Sequence, residues 1–184
     1  MESDAQAEHF DRLFRSTLRR VTAYCLRRTS ETSAHDAVSE VYAIAWRKRR
    51  RLPGDEHEAA LWLLGVARNV LANQARGQRR WARLLRRAAE QPAPEQLPAA
   101  HADHGDDGDH DLTEAMARLS DTDRELLRLA YWDDLSHGDI AHLLGISPGA
   151  VSTRLYRARE RLRARLAPDE SDAHETKDLK HAHR

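Results

Sequence analysis

The sequence predicts an all-α protein, built as two small helical domains joined by a flexible acidic linker. Apolar residues recur at helical spacing on both sides of residues 91–111, and runs of β-branched residues are few. Residues 91–111 have no apolar periodicity and hold no Lys or Arg against six Asp and Glu, a composition typical of a linker. The single cysteine, Cys25, excludes an internal disulfide and fits a reducing compartment.

These patterns divide the chain into a helical domain over 8–88, the linker over 89–111, a second helical domain over 112–167 and a disordered tail over 168–184. The net charge of zero is the sum of segments whose charges differ in sign. Residues 1–90 hold 18 Lys and Arg against 11 Asp and Glu, whereas the linker is acidic. Such an asymmetry favours a polyanionic partner.

The first domain contains three helical patterns. Apolar residues over 10–21 form the first, and a second helix is predicted to begin at Ser33, an N-cap with Asp36 three residues later. Pro53-Gly54 ends that pattern, and Asp55 can cap a third helix. A basic run follows it: Arg76, Arg79, Arg80, Arg83, Arg86 and Arg87.

The second domain contains four short helical patterns, and the last two have the spacing of a helix-turn-helix. Ser136 and Asp139 form a predicted capping box, and Gly145 suits the left-handed residue that ends a helix. Ser147-Pro148 then restarts the chain as an N-cap followed by proline at the first helical position.

In a helix-turn-helix, the outward residues of the second helix face the major groove of DNA. Here those residues are Pro148, Gly149, Ser152, Thr153, Tyr156 and Arg157, with Arg154 beside them for phosphate. Further arginines, Arg159, Arg161, Arg163 and Arg165, extend the positive charge and predict a grip on the DNA backbone. The alternative is an ordinary helical hairpin with a solvated arginine face.

Other functions find less support in the sequence. Residues 103–114 nearly match a calcium loop, and the histidines of the linker and tail could hold zinc or nickel loosely. We predict no metal site, no cofactor and no enzymatic activity, because no phosphate-cradling glycine loop, nucleophile elbow or zinc-protease helix is present. The polar N-terminus and the longest apolar stretch, "AALWLLGVA", predict neither a signal peptide nor membrane insertion, so we expect a cytoplasmic protein.

Two stretches of the first domain, "HDAVSEVYAIAWRKRRRL" and "LWLLGVARNVLANQARGQRR", resemble regions 2.2 to 2.4 of the extracytoplasmic-function (ECF) sigma factors, a subfamily of the sigma-70 family. The family pattern is matched by Ala45-Trp46, Trp62-Leu63 and Ala67-Arg68-Asn69. Residues 135–166, "LSHGDIAHLLGISPGAVSTRLYRARERLRARL", resemble region 4 of the same family. The resemblance implies an RNA polymerase sigma factor that directs promoter-specific transcription initiation, and it separates this chain from DNA-binding regulators that carry only the second motif.

The resemblance also implies roles for individual residues. Docking on the clamp helices of the largest polymerase subunit falls to Asp36, Ser39, Glu40, Ala43 and Arg47. The melted −10 strand of promoter DNA is expected to meet Arg68, Asn69, Asn73 and Arg76, with a flipped base entering the loop of Leu52 to Ala60 that holds Asp55, Glu56 and His57.

For the −35 duplex, the resemblance implies base-edge contacts by Ser152, Thr153, Tyr156 and Arg157, and phosphate contacts by Arg154 and Arg159. Members of the family are commonly held inactive by an anti-sigma factor, which is therefore a further expected partner beside core RNA polymerase and promoter DNA.

Overall fold

The protein is described by a computed structural model that covers residues 2–88 and 107–166. Within those two ranges all regular structure is helical and no strand occurs, so the predicted all-α fold of two helical domains is confirmed. Residues 89–106 of the predicted linker and the predicted tail lie outside the described residues.

The N-terminal domain is a bundle of three α-helices that pack on one another. It consists of α1 (Glu2–Leu26), α2 (Glu31–Arg47), a 3-10 turn (Arg49–Arg51) and α3 (Glu56–Ala88). Their apolar stripes meet in a core whose fully buried side chains include Val21, Tyr24, Val41, Leu63 and Leu64. Burial of such stripes is the main source of stability for helices of this length.

Two helix starts in this domain test the capping predictions. Asp55 accepts a 2.9 Å hydrogen bond from the Glu58 backbone N–H, which confirms it as the cap of α3. The predicted N-cap Ser33 is wrong, because α2 begins at Glu31 with Ser30 as its N-cap. Glu31 in the first turn favours the earlier start, since an acidic side chain there interacts well with the helix dipole.

Helix α3 continues as one helix through the whole basic run and extends beyond the bundle. In this extension even the large apolar side chains are open to solvent, with Trp81, Leu84 and Leu85 exposed by 62%, 50% and 51%. The extension therefore gains little stability from packing within the described part of the chain.

The C-terminal domain packs three short helices around a longer one. Its elements are α4 (Asp107–Ala117), α5 (Asp121–Tyr131), α6 (His137–Leu144) and α7 (Pro148–Leu166), and α7 contacts the other three. Its core includes Leu126, Leu127, Leu129, Ile140 and Val151. Residues 107–111, which we assigned to the linker, instead form the first turns of α4, where acidic residues suit the positive end of the helix dipole.

The caps that orient α6 and α7 are as predicted. Ser136 and Asp139 form a complete capping box at the start of α6. Gly145 ends that helix in the left-handed conformation, with φ of 66°, which other residues enter only with strain. The Ser147 hydroxyl then accepts a hydrogen bond from the Ala150 N–H at 3.2 Å and caps α7.

The two domains contact each other through charged side chains. The guanidinium of Arg28, in the turn after α1, lies 2.9 Å from a Glu125 oxygen of α5 and 2.7 Å from an Asp133 oxygen just after α5. Arg27 pairs with the same Asp133 carboxylate, and Arg20 donates to its backbone carbonyl at 3.1 Å. These contacts hold the C-terminal domain against α1, while α6 packs against α3.

None of the described helices combines the length and the apolar character needed to cross a bilayer. The calcium-loop alternative fails on geometry, because residues 107–114 are helical, although residues 103–106 lie outside the described part. In the described ranges no group of His, Cys, Asp and Glu side chains is arranged to hold a metal ion.

Candidate nucleic-acid interface

Helix α7 presents one buried and one open face. Val151, Leu155 and Ala158 are buried against the other helices of the domain. The Gly145 turn and the Ser147 cap set the angle between α6 and α7. The face of α7 opposite these buried residues points to solvent. All eight residues predicted to meet the −35 DNA are exposed on it: Pro148, Gly149, Ser152, Thr153, Arg154, Tyr156, Arg157 and Arg159.

The two hydroxyl side chains of this face are held in place by local hydrogen bonds. Ser152 Oγ donates to the Pro148 carbonyl at 3.2 Å, and Thr153 Oγ1 donates to the Gly149 carbonyl at 3.1 Å. Ser152 Oγ also lies 3.0 Å from Nδ1 of His137, in the first turn of α6. His137 was not among the predicted residues, because only the fold brings a residue 15 positions away onto Ser152.

The arginines of α7 divide into two groups. Arg161 donates two hydrogen bonds, of 2.8 and 2.9 Å, to the Asp123 carboxylate of α5, and Arg163 pairs with Glu160 at 3.0 Å. The charge of Arg161 therefore links α7 to α5, and its contact with the DNA backbone stays a prediction. The remaining arginines of the helix make no hydrogen bond or close ion pair with any described residue: Arg154, Arg157, Arg159 and Arg165.

The residues predicted to meet the −10 strand lie at the start of α3 and along it. Asp55, Glu56, His57, Arg68, Asn69, Asn73 and Arg76 are all exposed. The Arg76 guanidinium donates to the Asn73 side-chain oxygen, so these two residues form one polar group rather than two independent ones.

A cavity of about 440 Å³ opens beside the segment 52–60, which was predicted to be the base-binding loop and which is helical from Glu56 onward. Asp55, Glu56, His57 and Ala60 form one wall. The opposite wall comes from α1, which contributes Ser16, Thr17 and Arg20. The α1 residues were not predicted from the sequence, because their spacing along α1 gives no sign that they face α3.

His57, in the first turn of α3, is hydrogen-bonded to the C-terminal domain. Its Nε2 lies 2.8 Å from Oδ1 of Asp139, the residue that also closes the capping box with Ser136. Burial alone would raise the pKa of Asp139, but the hydrogen bonds from His57 and Ser136 outweigh it and hold that pKa below its ordinary value. The candidate −10 loop and the start of α6 are thus directly linked.

The predicted polymerase-docking residues share one exposed face of α2. Asp36, Ser39, Glu40, Ala43 and Arg47 are all open to solvent, at the spacing of three or four residues that places side chains on one side of a helix. On the other side of α2, Ala37, Val41 and Ala45 are buried in the core of the bundle. Trp46, beside the exposed face, is 44% exposed and packs on Phe10, with ring centroids 5.1 Å apart.

Comparison with known proteins assigns both domains. Residues 13–81 match the family model of sigma-70 region 2, and residues 109–162 match that of sigma-70 region 4. The ECF RNA polymerase sigma factor SigL of Mycobacterium tuberculosis is 30% identical over 144 residues, which cover 78% of this chain and 80% of SigL. This chain is an ECF sigma factor.

A second relative supports the assignment of this sigma factor over most of its length. The ECF RNA polymerase sigma factor RpoE of Cereibacter sphaeroides is 27% identical over 167 residues, which cover 86% of each chain. Sigma factors start transcription by binding core RNA polymerase and promoter DNA, and they are not enzymes.

Two solved structures resemble this sigma factor. The sigma factor RpoE from Bartonella quintana, solved in complex with the anti-sigma factor NepR, matches with a TM-score of 0.67 at 25% identity, over 87% of this chain and 98% of that one. CnrH, solved in complex with the cytosolic domain of CnrY, shares the fold with a TM-score of 0.59 at 21% identity, over 89% of this chain and 96% of CnrH.

Proposed function

We propose that this sigma factor directs core RNA polymerase to promoters by reading the −35 element as duplex DNA with α7 and the −10 element as a melted strand with α3. The observation that carries the proposal is the open face of α7. Eight predicted contact residues are exposed there, and the arginines among them have no hydrogen-bonding partner in the described chain.

In the proposed −35 complex the first turns of α7 enter the major groove. Ser152 and Thr153 have their donor hydrogens engaged by carbonyls of the preceding turn, so their oxygens can only accept from base amino groups; Ser152 Oγ also shares this capacity with His137. Arg157, one turn further, can bind guanine through two hydrogen bonds, a contact that discriminates between bases by about 1–3 kcal/mol. Arg154 and Arg159 contact phosphates.

In the proposed −10 complex a flipped base enters the 440 Å³ cavity beside the Asp55–His57 loop. This volume falls in the range of small-ligand pockets, roughly 300–1,000 Å³. Arg68, Asn69, Asn73 and Arg76 bind the strand on either side. Flipping a base costs a few kcal/mol, so the pocket is used only after polymerase binding holds the protein on the promoter.

The same sigma factor docks on the clamp helices of the largest polymerase subunit through the exposed face of α2. That face combines two carboxylates, a serine and an arginine with the small side chain of Ala43, a surface suited to a partner helix. Because its targets are polymerase and promoter DNA, we place the protein in the cytoplasm.

Reading both promoter elements requires the two domains to separate. We call the arrangement in which the two domains are packed together, as in this structure, the closed arrangement. In it, His57 of the proposed −10 site contacts Asp139. His137, two residues before Asp139, contacts Ser152 of the −35 face. The two reading surfaces are therefore close neighbours, whereas the −35 and −10 elements lie far apart along the duplex. The interdomain ion pairs must break when the protein binds the promoter.

Regulation by an anti-sigma factor is part of the proposal. The Bartonella quintana RpoE, similar over most of this chain, was solved with such a partner, NepR. A partner that stabilises the closed arrangement would keep the two reading surfaces from reaching their elements together.

The test is transcription from promoter DNA by purified core polymerase supplemented with this protein. We expect a defined start site with the native protein and no promoter-specific transcript with Arg157→Ala, while Arg157→Ala still binds core polymerase. Arg163→Ala is the matched control, because this exposed arginine of the same helix pairs with Glu160. Tight binding to a duplex operator without polymerase, and no start site with it, would favour a regulator instead.

A further inference from the structure

A second cavity lies between the two domains and is lined by arginines. Its volume is about 250 Å³, and four arginines are among its lining residues: Arg28 from the turn after α1, Arg68 from α3, and Arg124 and Arg128 from α5. Asp121 and Glu125 are the acidic residues of its lining. The cavity exists only while the domains are closed, since its walls come from both.

Two of the four arginines are fully engaged by protein groups. Arg28 pairs with Glu125 and with Asp133. Arg124 pairs with Asp121 at 3.2 Å and donates to the carbonyls of Met116, Ala117 and Leu119 at the end of α4. The acidic side chains around the cavity are thus already used.

The other two arginines are not engaged. The guanidinium groups of Arg68 and Arg128 make no hydrogen bond or close ion pair with any residue of 2–88 or 107–166. Arg128 is half-buried, and burial, followed by the nearby charges of Arg28 and Arg124, holds its pKa below the ordinary value, although the carboxylates of Glu125 and Asp133 partly offset these effects. The nearby carboxylates of Glu125 and Asp133 are paired with Arg28 and do not hydrogen-bond to Arg128, so an anion that binds this partly desolvated guanidinium directly would be stabilising.

We propose that this interdomain cavity binds a phosphate or diphosphate group, which bridges Arg68 of the N-terminal domain and Arg128 of the C-terminal domain. The planar guanidinium matches phosphate oxygens through paired hydrogen bonds. The two unmatched positive charges suit a phosphate group, which carries a charge of about −1.5 to −2 at neutral pH.

The size of the cavity selects the ligand. At about 250 Å³ it is smaller than most pockets for whole organic ligands, which measure roughly 300–1,000 Å³. Leu71 and Tyr24 also line it, and the polar side chains of its lining that make no hydrogen bond with a described residue are those of Arg68 and Arg128. A phosphate or diphosphate group fits, and a base or sugar attached to it would project into solvent.

Anion binding favours the closed arrangement of the two domains. The anion contacts residues of both domains, and its site is incomplete once the domains separate. It also occupies Arg68, which the proposed function assigns to the −10 strand. The effect on transcription rests on that proposed function, whereas anion binding itself does not.

Isothermal titration of the full chain with sodium diphosphate, and separately with inorganic phosphate, tests the site at constant ionic strength. We expect saturable binding to the native protein, and binding about tenfold or more weaker in Arg128→Gln and in Arg68→Gln, because each loses a hydrogen-bonded charge worth about 1.5–3 kcal/mol. The control Arg83→Gln removes an exposed arginine of the same helix α3 that does not line the cavity, and it should bind as the native protein does.

Arg68 is exposed, so its replacement leaves the fold intact even if Arg128→Gln is destabilised. Equal affinities in the native protein and the three variants, or the absence of saturable binding, would contradict the proposed anion site. Binding of a poly-aspartate peptide that depends on Arg128, without binding of diphosphate, would reassign the cavity to an acidic protein segment and overturn the phosphate proposal. Start-site selection by the native protein without added anion, assayed separately, reports on the proposed function alone.

Discussion

Asp133 of the C-terminal domain is fully buried against Arg28 of the N-terminal domain, with its side chain 0% exposed and one carboxylate oxygen 2.7 Å from the guanidinium. The other carboxylate oxygen is bound by Arg27. Arg28 itself is only 8% exposed and also binds Glu125. Charges buried to this degree depend on each other, because removing one partner leaves the others desolvated and unpaired.

We therefore expect Asp133→Asn to open the domain interface. Loss of one partner from a buried ion pair costs about 3–5 kcal/mol. Small-angle X-ray scattering of the free protein should show a larger radius of gyration for the variant than for the native chain.

Asp134→Asn is the matched control for that experiment. Asp134 is the exposed neighbour of Asp133 and has φ of 51°, a conformation that asparagine tolerates well. An unchanged radius of gyration in Asp133→Asn would show that the buried pair does not hold the domains together.

The Gly145 turn predicts a backbone effect on stability. A Cβ at this position would meet no atom within 4 Å, so Gly145→Ala introduces strain only through the positive φ of 66°. We expect a loss of about 1–2 kcal/mol in the free energy of unfolding, measured by urea denaturation of the full chain.

Gly149→Ala provides the comparison for that substitution. Gly149 lies in α7 without a positive φ, and a Cβ added there would likewise have no atom within 4 Å. We expect this variant to be neutral or stabilised by up to about 1 kcal/mol, since alanine is the better helix former. Equal losses in both variants would show that the left-handed conformation of Gly145 is not the cause of its loss.

The Asp139 contacts predict a loss of stability in acid. Its pKa is lowered in the folded protein, so the carboxylate stabilises the fold above its ordinary pKa of about 3.9 and loses that contribution as the pH falls through the folded pKa. The free energy of unfolding of the native protein should fall over this acidic range. Asp139→Asn should be less stable at neutral pH and show a shallower fall, whereas a fall as steep as in the native protein would contradict the role of Asp139.

The exposed face of α2 predicts a polymerase-binding defect. Glu40→Ala should weaken binding to core polymerase on the order of tenfold if Glu40 is a central contact, because a few residues dominate most interfaces. Fluorescence anisotropy of the labelled protein measures the affinity. Glu31→Ala is the control, since Glu31 is exposed and lies two and a half turns earlier, on the opposite side of the same helix. Equal affinities for the two variants would remove this face from the docking surface.

The helical fold, the order of the two domains and most of the helix ends could be predicted from the amino-acid sequence. Apolar spacing, the capping box at Ser136 and the turn at Gly145 act over a few residues, so they can be recognised without knowledge of the rest of the chain. The same local periodicity placed the exposed faces of α2 and α7, because a residue's side of a helix follows from its spacing.

The pairing of charged residues that are distant in the chain became visible only once the helices were packed together. Arg161 looks like its neighbours in sequence, yet Asp123 binds it, and Asp133 looks like a surface acid, yet it is buried between two arginines. The base-pocket wall at Thr17, the contact of His137 with Ser152 and the arginine-lined cavity have the same origin. Each depends on how helices far apart in the chain meet in space, and charge pairing across such an interface leaves no periodic signal along the sequence.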